Sequence, residues 1–165
     1  MRALNSPHSA GDTMGRLKEA VKQRGPSVFA RIDHAAGAAK VGMTLRPIEL
    51  LIFGNPQGGT PLTVCEQTAG IDLPLKALVW QEAATQIWVG YNDPAYLAQR
   101  HGVHGCAVVE KLRKVLAALA EAGVVRRSQR VQVRLARVSV ASPLCSTPEQ
   151  RMSSARGRPP TLTFS

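Results

Sequence analysis

Two β-rich runs, residues 75–80 and 87–91, are separated only by Gln-Glu-Ala-Ala-Thr-Gln, a length and composition suited to an antiparallel hairpin. A hairpin at this point breaks the strand-helix alternation that an all-parallel, doubly wound sheet requires. The remaining patterns fit around it. Ser9 followed by Asp12 reads as an N-cap with an acidic third residue, and Met14, Leu17 and Val21 recur at helical spacing. The pattern predicts a helix over 10–24, stopped by Gly25-Pro26. Residues 27–33 alternate like a half-buried strand, with Val28, Ala30 and Ile32 on one face and Phe29 and Arg31 on the other. Pro47 opens a nearly continuous apolar run, 48–53, which argues for a central strand with Ile52 on a buried face. A helix is expected between Gly58-Gly59 and Gly70, and Asp93-Pro94 starts another that reaches residue 100. Val108, Leu112, Val115 and Leu119 mark a long amphipathic helix ending at Gly123, with Leu112 on its buried side. A short edge strand is expected at 2–4. The fold class is therefore α+β, a two-layer sandwich of an antiparallel sheet with helices on one face.

Of the 165 residues, 44% are hydrophobic and 19% charged, which excludes a wholly disordered or collagenous chain. No window approaches 18 uninterrupted apolar residues, and the first 25 residues carry a capped helix pattern instead of a signal segment. No contact with a membrane and a cytoplasmic location are expected. Cys65, Cys106 and Cys145 are widely spaced without a C-x-x-C pair, so they are expected to be free thiols.

The net charge of +10 is unevenly placed. Residues 124–165 carry eight arginines and one acid, Glu149, a net of +7, which leaves +3 for residues 1–123. Residues 124–140 alternate like a strand, with Val131, Val133 and Leu135 against Gln132, Arg134 and Ala136, but from Ser142 onward the composition is that of loop or disorder. The expected organisation is one domain over 1–123 and an Arg/Ser/Pro-rich, largely disordered tail over 124–165. Arginine-only basicity beside Ala, Ser and Pro also resembles out-of-frame translation of a GC-rich gene. Nucleic acid binding by such a tail is expected to be weak and sequence-independent, since arginines neutralise phosphates without a positioned element to read bases.

Several clusters invite chemistry, each with a plainer reading. Asp33-His34 pairs a carboxylate with an imidazole, yet adjacent residues at a strand end usually point apart and serve turns and caps. Gly54, Asn55 and Thr60 belong to a glycine-bearing loop before a helix, where backbone N–H groups can receive an anion. The loop lacks the lysine and spacing of a nucleotide P-loop, and glycine also serves tight turns. His101, His104 and Cys106 are donor types that zinc or copper accepts, but their spacing matches no established closed site. Trp80, Trp88, Tyr91 and Met43 read first as packing residues, with the two tryptophans able to share one sheet face.

The ordered pieces Asp33-His34, Pro47, Phe53-Gly54-Asn55-Pro56, Leu73-Pro74-Leu75 and Tyr91-Asn92-Asp93-Pro94 resemble the family catalogued as domain of unknown function 302, over roughly residues 9–123. The resemblance implies an α+β fold grouped with the TATA-binding-protein-like folds, with a long C-terminal helix across a curved antiparallel sheet. It also implies that homodimers are common, and it implies no known reaction. On these grounds the expected function is a small-ligand binding module with a pocket between the sheet and the C-terminal helix. Asp33, His34, Gly54, Asn55, Thr60 and Tyr91 are its candidate ligand-binding residues. The alternatives are a homodimeric interaction module without a ligand and, more weakly, an enzyme using His34. No catalytic constellation is recognisable and no cofactor is implied.

Overall fold

The computed structural model describes residues 1–125; the tail expected at 124–165 lies almost wholly outside them. Ser9 caps the first helix through its side chain, which accepts the Asp12 N–H at 3.1 Å. The chain runs β1 (Arg2–Ser6), α1 (Ala10–Gln23), β2 (Ser27–Asp33), α2 (His34–Ala39), β3 (Ile48–Gly54) and α3 (Pro56–Cys65). A 3₁₀ turn (Gln67–Asp72), β4 (Leu75–Gln81), β5 (Ile87–Tyr91), α4 (Pro94–Arg100) and α5 (Val108–Val124) complete it. The strands form one sheet in the order β1-β5-β4-β3-β2, every neighbouring pair antiparallel. The expected hairpin is β4–β5, and the expected N-terminal strand pairs with β5 from Arg2↔Tyr91 to Ser6↔Ile87.

Helices α1 and α5 pack together on one face of the sheet. Met14, Leu17 and Val21 from α1 meet Leu116 and Leu119 from α5 over Leu51, Phe53, Val79 and Val89 of the sheet, all essentially inaccessible to solvent. Gly123 of α5 lies against Leu17, where a Cβ would meet the Leu17 Cβ at 3.6 Å, an ordinary packing distance. Together these elements make the two-layer α+β sandwich.

The register corrects two expectations. Along β3 it is Glu49, Leu51 and Phe53 that face the helices, while Ile48, Leu50 and Ile52 take the other face. Ile52 is therefore half-buried on the face away from α1 and α5. The run is apolar at every position but Glu49, and that charged residue lies on the covered face, so the pattern could not say which residues the helices would cover. In β2 a bulge between Val28 and Ala30 resets the alternation. Val28 is paired with Phe53 on the helix side, whereas Ala30 and Ile32 are paired with Ile52 and Leu50 on the other. Trp80 and Trp88 do share one face, as a cross-strand pair with ring centroids 6.4 Å apart and planes 18° from parallel.

Candidate functional site

The candidate site is a cleft of about 480 Å³ where the end of the sheet, α3 and α5 meet. Its floor is Phe53 and Leu75, the ends of two adjacent strands, and one wall is Leu112 and Val115 of α5. Leu73 and Pro74, joined by a cis peptide bond, close the side leading into β4. The opposite wall is the first half of α3.

That wall is organised by Asn55. Its side-chain oxygen accepts the Gln57 N–H at 2.8 Å, and its carbonyl accepts those of Gly58 and Gly59, both at 2.9 Å. The amides that the glycine-loop reading offered to an anion are thus already satisfied within the loop. The glycines have a spatial consequence instead. A Cβ on Gly58 would stand 3.6 Å from Leu112 Cδ2, and one on Gly59 would stand 3.5 Å from Leu73 Cδ1. Neither has a positive φ. Both line the cleft without a side chain, so each leaves to it the space that a Cβ would take.

A disulfide joins Cys65, the last residue of α3, to Cys106, just before α5. This overturns the expectation of free thiols for these two cysteines. They lie 41 residues apart in sequence, and only the return of the chain through β4, β5 and α4 brings them together. Cys145 lies outside the described residues. The bridge clips one wall of the cleft to the base of the other.

Of the candidates from sequence, Gly54, Asn55 and Thr60 line this cleft and the others do not. Asp33 accepts the Ala36 N–H at 2.8 Å as the N-cap of α2, and His34 is exposed beside it. Both sit at the far end of β3, since Asp33 pairs with Glu49 and Ser27 with Gly54. Six residues of strand put them roughly 20 Å away. Tyr91 is buried under α5, and that burial raises its phenol pKa. It borders a separate shallow depression around Asp93. Burial pushes the Asp93 carboxyl up, but the Ala95 N–H, the Arg2 guanidinium at 3.0 Å and the Arg113 charge outweigh it, so its pKa lies below the ordinary carboxylate value.

The metal candidates are likewise separated. The Cys106 sulfur is held in the disulfide, and the His101 ring lies between Asp72, at 2.7 Å, and the Thr68 hydroxyl, at 3.3 Å. His104 is exposed in the linker. Among the described residues no group of three His, Cys, Asp or Glu side chains is arranged to hold a metal ion.

Sequence reasoning missed Arg24 and Lys111, the charged residues of the lining, and Phe29 at its edge. Each comes from a different element, so no local motif announces them. The one available signal was Gly58-Gly59, which the sequence pattern assigns to the loop before a helix and which the structure places inside α3.

Comparison with known proteins bears on the fold and on the family. The chain is 47% identical over 100 residues to proteins named fluoride-specific ion channel FluC 1 in Brucella suis biovar 1 and Brucella abortus biovar 1. The matched region is 61% of this chain but only 39% and 37% of those proteins. The chain thus spans less than half the length of the curated relatives it matches, and the channel name is said of the longer proteins. No helix among the described residues is long and apolar enough to cross a membrane. A crystal structure of an uncharacterized conserved protein DUF302 from Bacillus stearothermophilus has the same fold, with a TM-score of 0.68 at 23% identity over 73% of this chain and 95% of that one. The family model for domain of unknown function DUF302 matches residues 2–119, the whole sheet and most of the helix layer, and the chain belongs to that family.

Proposed function

We propose that the domain is a small-ligand binding module whose site is the cleft between the sheet end, α3 and α5. The observation that carries this reading is the cleft itself: about 480 Å³, apolar in floor and walls, with Asn55, Thr60 and two cations among its lining. Concave apolar sites with a few polar groups at this scale are what small molecules occupy. Asp33, His34 and Tyr91 have no part in the reading, since Asp33 and Tyr91 border other surfaces and His34 is exposed beside Asp33. The test is a ligand-observed NMR fragment screen against the full chain and against Gly58→Leu, which fills the cleft. Hits lost in the variant support the reading. A screen whose hits are indifferent to Gly58→Leu refutes it.

A second reading is pairing of two copies through the sheet face opposite α1 and α5. It is favoured by Ile32, 40% exposed, and by the half-buried Ile48, Leu50, Ile52 and Leu78 around the tryptophan pair. A contiguous apolar patch of this kind is what interaction surfaces present. Light scattering on Leu50→Glu decides it, because a monomer before and after the substitution rules pairing out. The Cys65–Cys106 bridge supports an oxidising compartment in place of the cytoplasm expected from sequence, since disulfides persist where thiols are not kept reduced.

A further inference from the structure

The lining of the cleft also bears on what class of molecule fits it, an inference that rests on reading the cleft as a binding site. Arg24, at the end of α1, and Lys111, on α5, are its charged side chains, and no carboxylate lines it. Both are exposed, and neither has an ion-pair or hydrogen-bond partner among the described residues. Two acids adjacent in sequence to lining residues are already engaged: Asp72, before Leu73, by Arg100 and His101, and Glu110, before Lys111, by Arg113. The rim of an apolar cleft is therefore cationic and uncompensated.

The interior points the same way. Phe53, Leu75 and Leu112 are buried beneath it and present no hydrogen-bonding side-chain groups. The start of α3 offers no free amide nest, because Asn55 takes the N–H groups of Gln57, Gly58 and Gly59. A phosphate-rich ligand such as a nucleotide would find nothing inside to replace its hydration. Gly58 and Gly59 weaken their helix relative to alanine and have no positive φ to justify it. An alanine Cβ would meet Leu112 or Leu73 at ordinary contact distance, so packing permits a better helix former at both positions. What such a residue would remove is room for an apolar body.

We propose that the cleft takes an amphipathic organic anion, an apolar chain or ring lying between α3, α5 and the sheet end, with a carboxylate-type head at Arg24 and Lys111. The apolar body accounts for the bare glycine wall, and the acidic head accounts for two cations without counter-charges.

Three probes with one body and three heads test this: decanoate, decanol and decylammonium, titrated into the full chain by calorimetry. Decanoate is expected to bind about tenfold more tightly than decanol, the gain that two exposed charge contacts supply. Decylammonium is expected to bind most weakly. The Arg24→Gln/Lys111→Gln variant should bring decanoate down to the affinity of decanol, and 1 M salt should shrink the difference in the parent protein. Gly58→Ala should weaken decanoate severalfold while its thermal midpoint stays level or rises, which separates loss of room from loss of fold. Equal binding of all three probes, each weakened by Gly58→Ala, overturns the anionic class and leaves the cleft reading standing. If decanoate binds and is indifferent both to Gly58→Ala and to the double variant, the class and the cleft fall together. If none of the three binds, the proposed class is wrong, and the fragment screen decides the cleft on its own.

Discussion

Reducing the Cys65–Cys106 bridge, or replacing both residues with serine, should cost this domain a large share of its stability. The bridge closes a loop over a sequence separation of 41 residues. In the chain-entropy description, a crosslink over a loop of that length withholds about 13 cal/mol/K from the unfolded ensemble, or about 4 kcal/mol at 25 °C. Set against the roughly 5–15 kcal/mol of an ordinary domain, this is not a marginal contribution. The unfolding entropy expected for about 125 residues turns it into a fall in midpoint of about 15 °C. The loss should appear locally first, because α3 is a poor helix without its clip. It contains Gly58, Gly59 and an interior Pro61, and Leu62 is its single buried residue. Cys65 is exposed and Cys106 only half-buried, so reductant has access to the bond. The assay is thermal unfolding with and without reductant, paired with non-reducing peptide mapping. Coincident unfolding curves, or a map with Cys65 and Cys106 both alkylated in the native protein, would refute the reasoning.

Leu112→Ala should cost about 2 to 5 kcal/mol, because Leu112 is 6% exposed between the core and the cleft; an unchanged denaturation midpoint would mean that the α5 interface is misassigned. Gly90→Ala should break the tryptophan pair, since its Cβ would fall 2.8 Å from Trp80 Cζ3; the check is the coupled indole band in circular dichroism, whose survival would contradict the contact. Asp93→Asn should lose about 1 kcal/mol near neutral pH, the scale of a partly exposed ion pair. The Asp93 pKa is depressed in the fold, so its contribution is present above the unfolded value and lost as pH falls through the folded one; unfolding curves of parent and variant should converge below about pH 4, and a gap that persists there would exclude the ion pairs as its cause. Binding of the full chain to duplex DNA should fall steeply with salt and drop further when Arg126, Arg127 and Arg130 become serine; tight binding indifferent to both would move recognition to the folded part.

What could be read from the sequence was whatever local chemistry decides. Ser9 and Asp93 cap helices because their side chains reach backbone N–H groups two or three residues on, and both helices begin where those residues place them. The five residues between β4 and β5 allow only a hairpin, and with it an antiparallel sheet. Strand faces were less legible where one extra residue at Val28/Ala30 resets the alternation, or where, in Ile48 to Phe53, the charged residue Glu49 lies on the face that the helices cover. The cleft was half legible: Gly54, Asn55 and Thr60 lie within seven residues of one another, from the end of β3 into α3, whereas Arg24, Lys111 and Leu73 arrive from α1, α5 and the approach to β4. The disulfide was illegible for the same reason, since spacing along the chain says nothing about two segments that the path of the chain through β4, β5 and α4 brings together.

The bulge in β2 has a bearing on how copies of this protein can meet. An edge strand presents unpaired N–H and C=O groups to any passing chain, and a long flat edge recruits further strands until a fibre grows. Here β2 is one outer strand of the sheet, and the irregularity between Val28 and Ala30 interrupts its regular pairing geometry in the middle. At the other edge β1 is five residues long and opens on Arg2, whose charge is drawn to Asp93. Each border of the sheet is thus spoiled as a template, one by a kink and the other by brevity and charge. Growth along the hydrogen-bonding direction is disfavoured, and pairing through the tryptophan-bearing face, as proposed above, would be a layer-on-layer contact that ends when that face is covered.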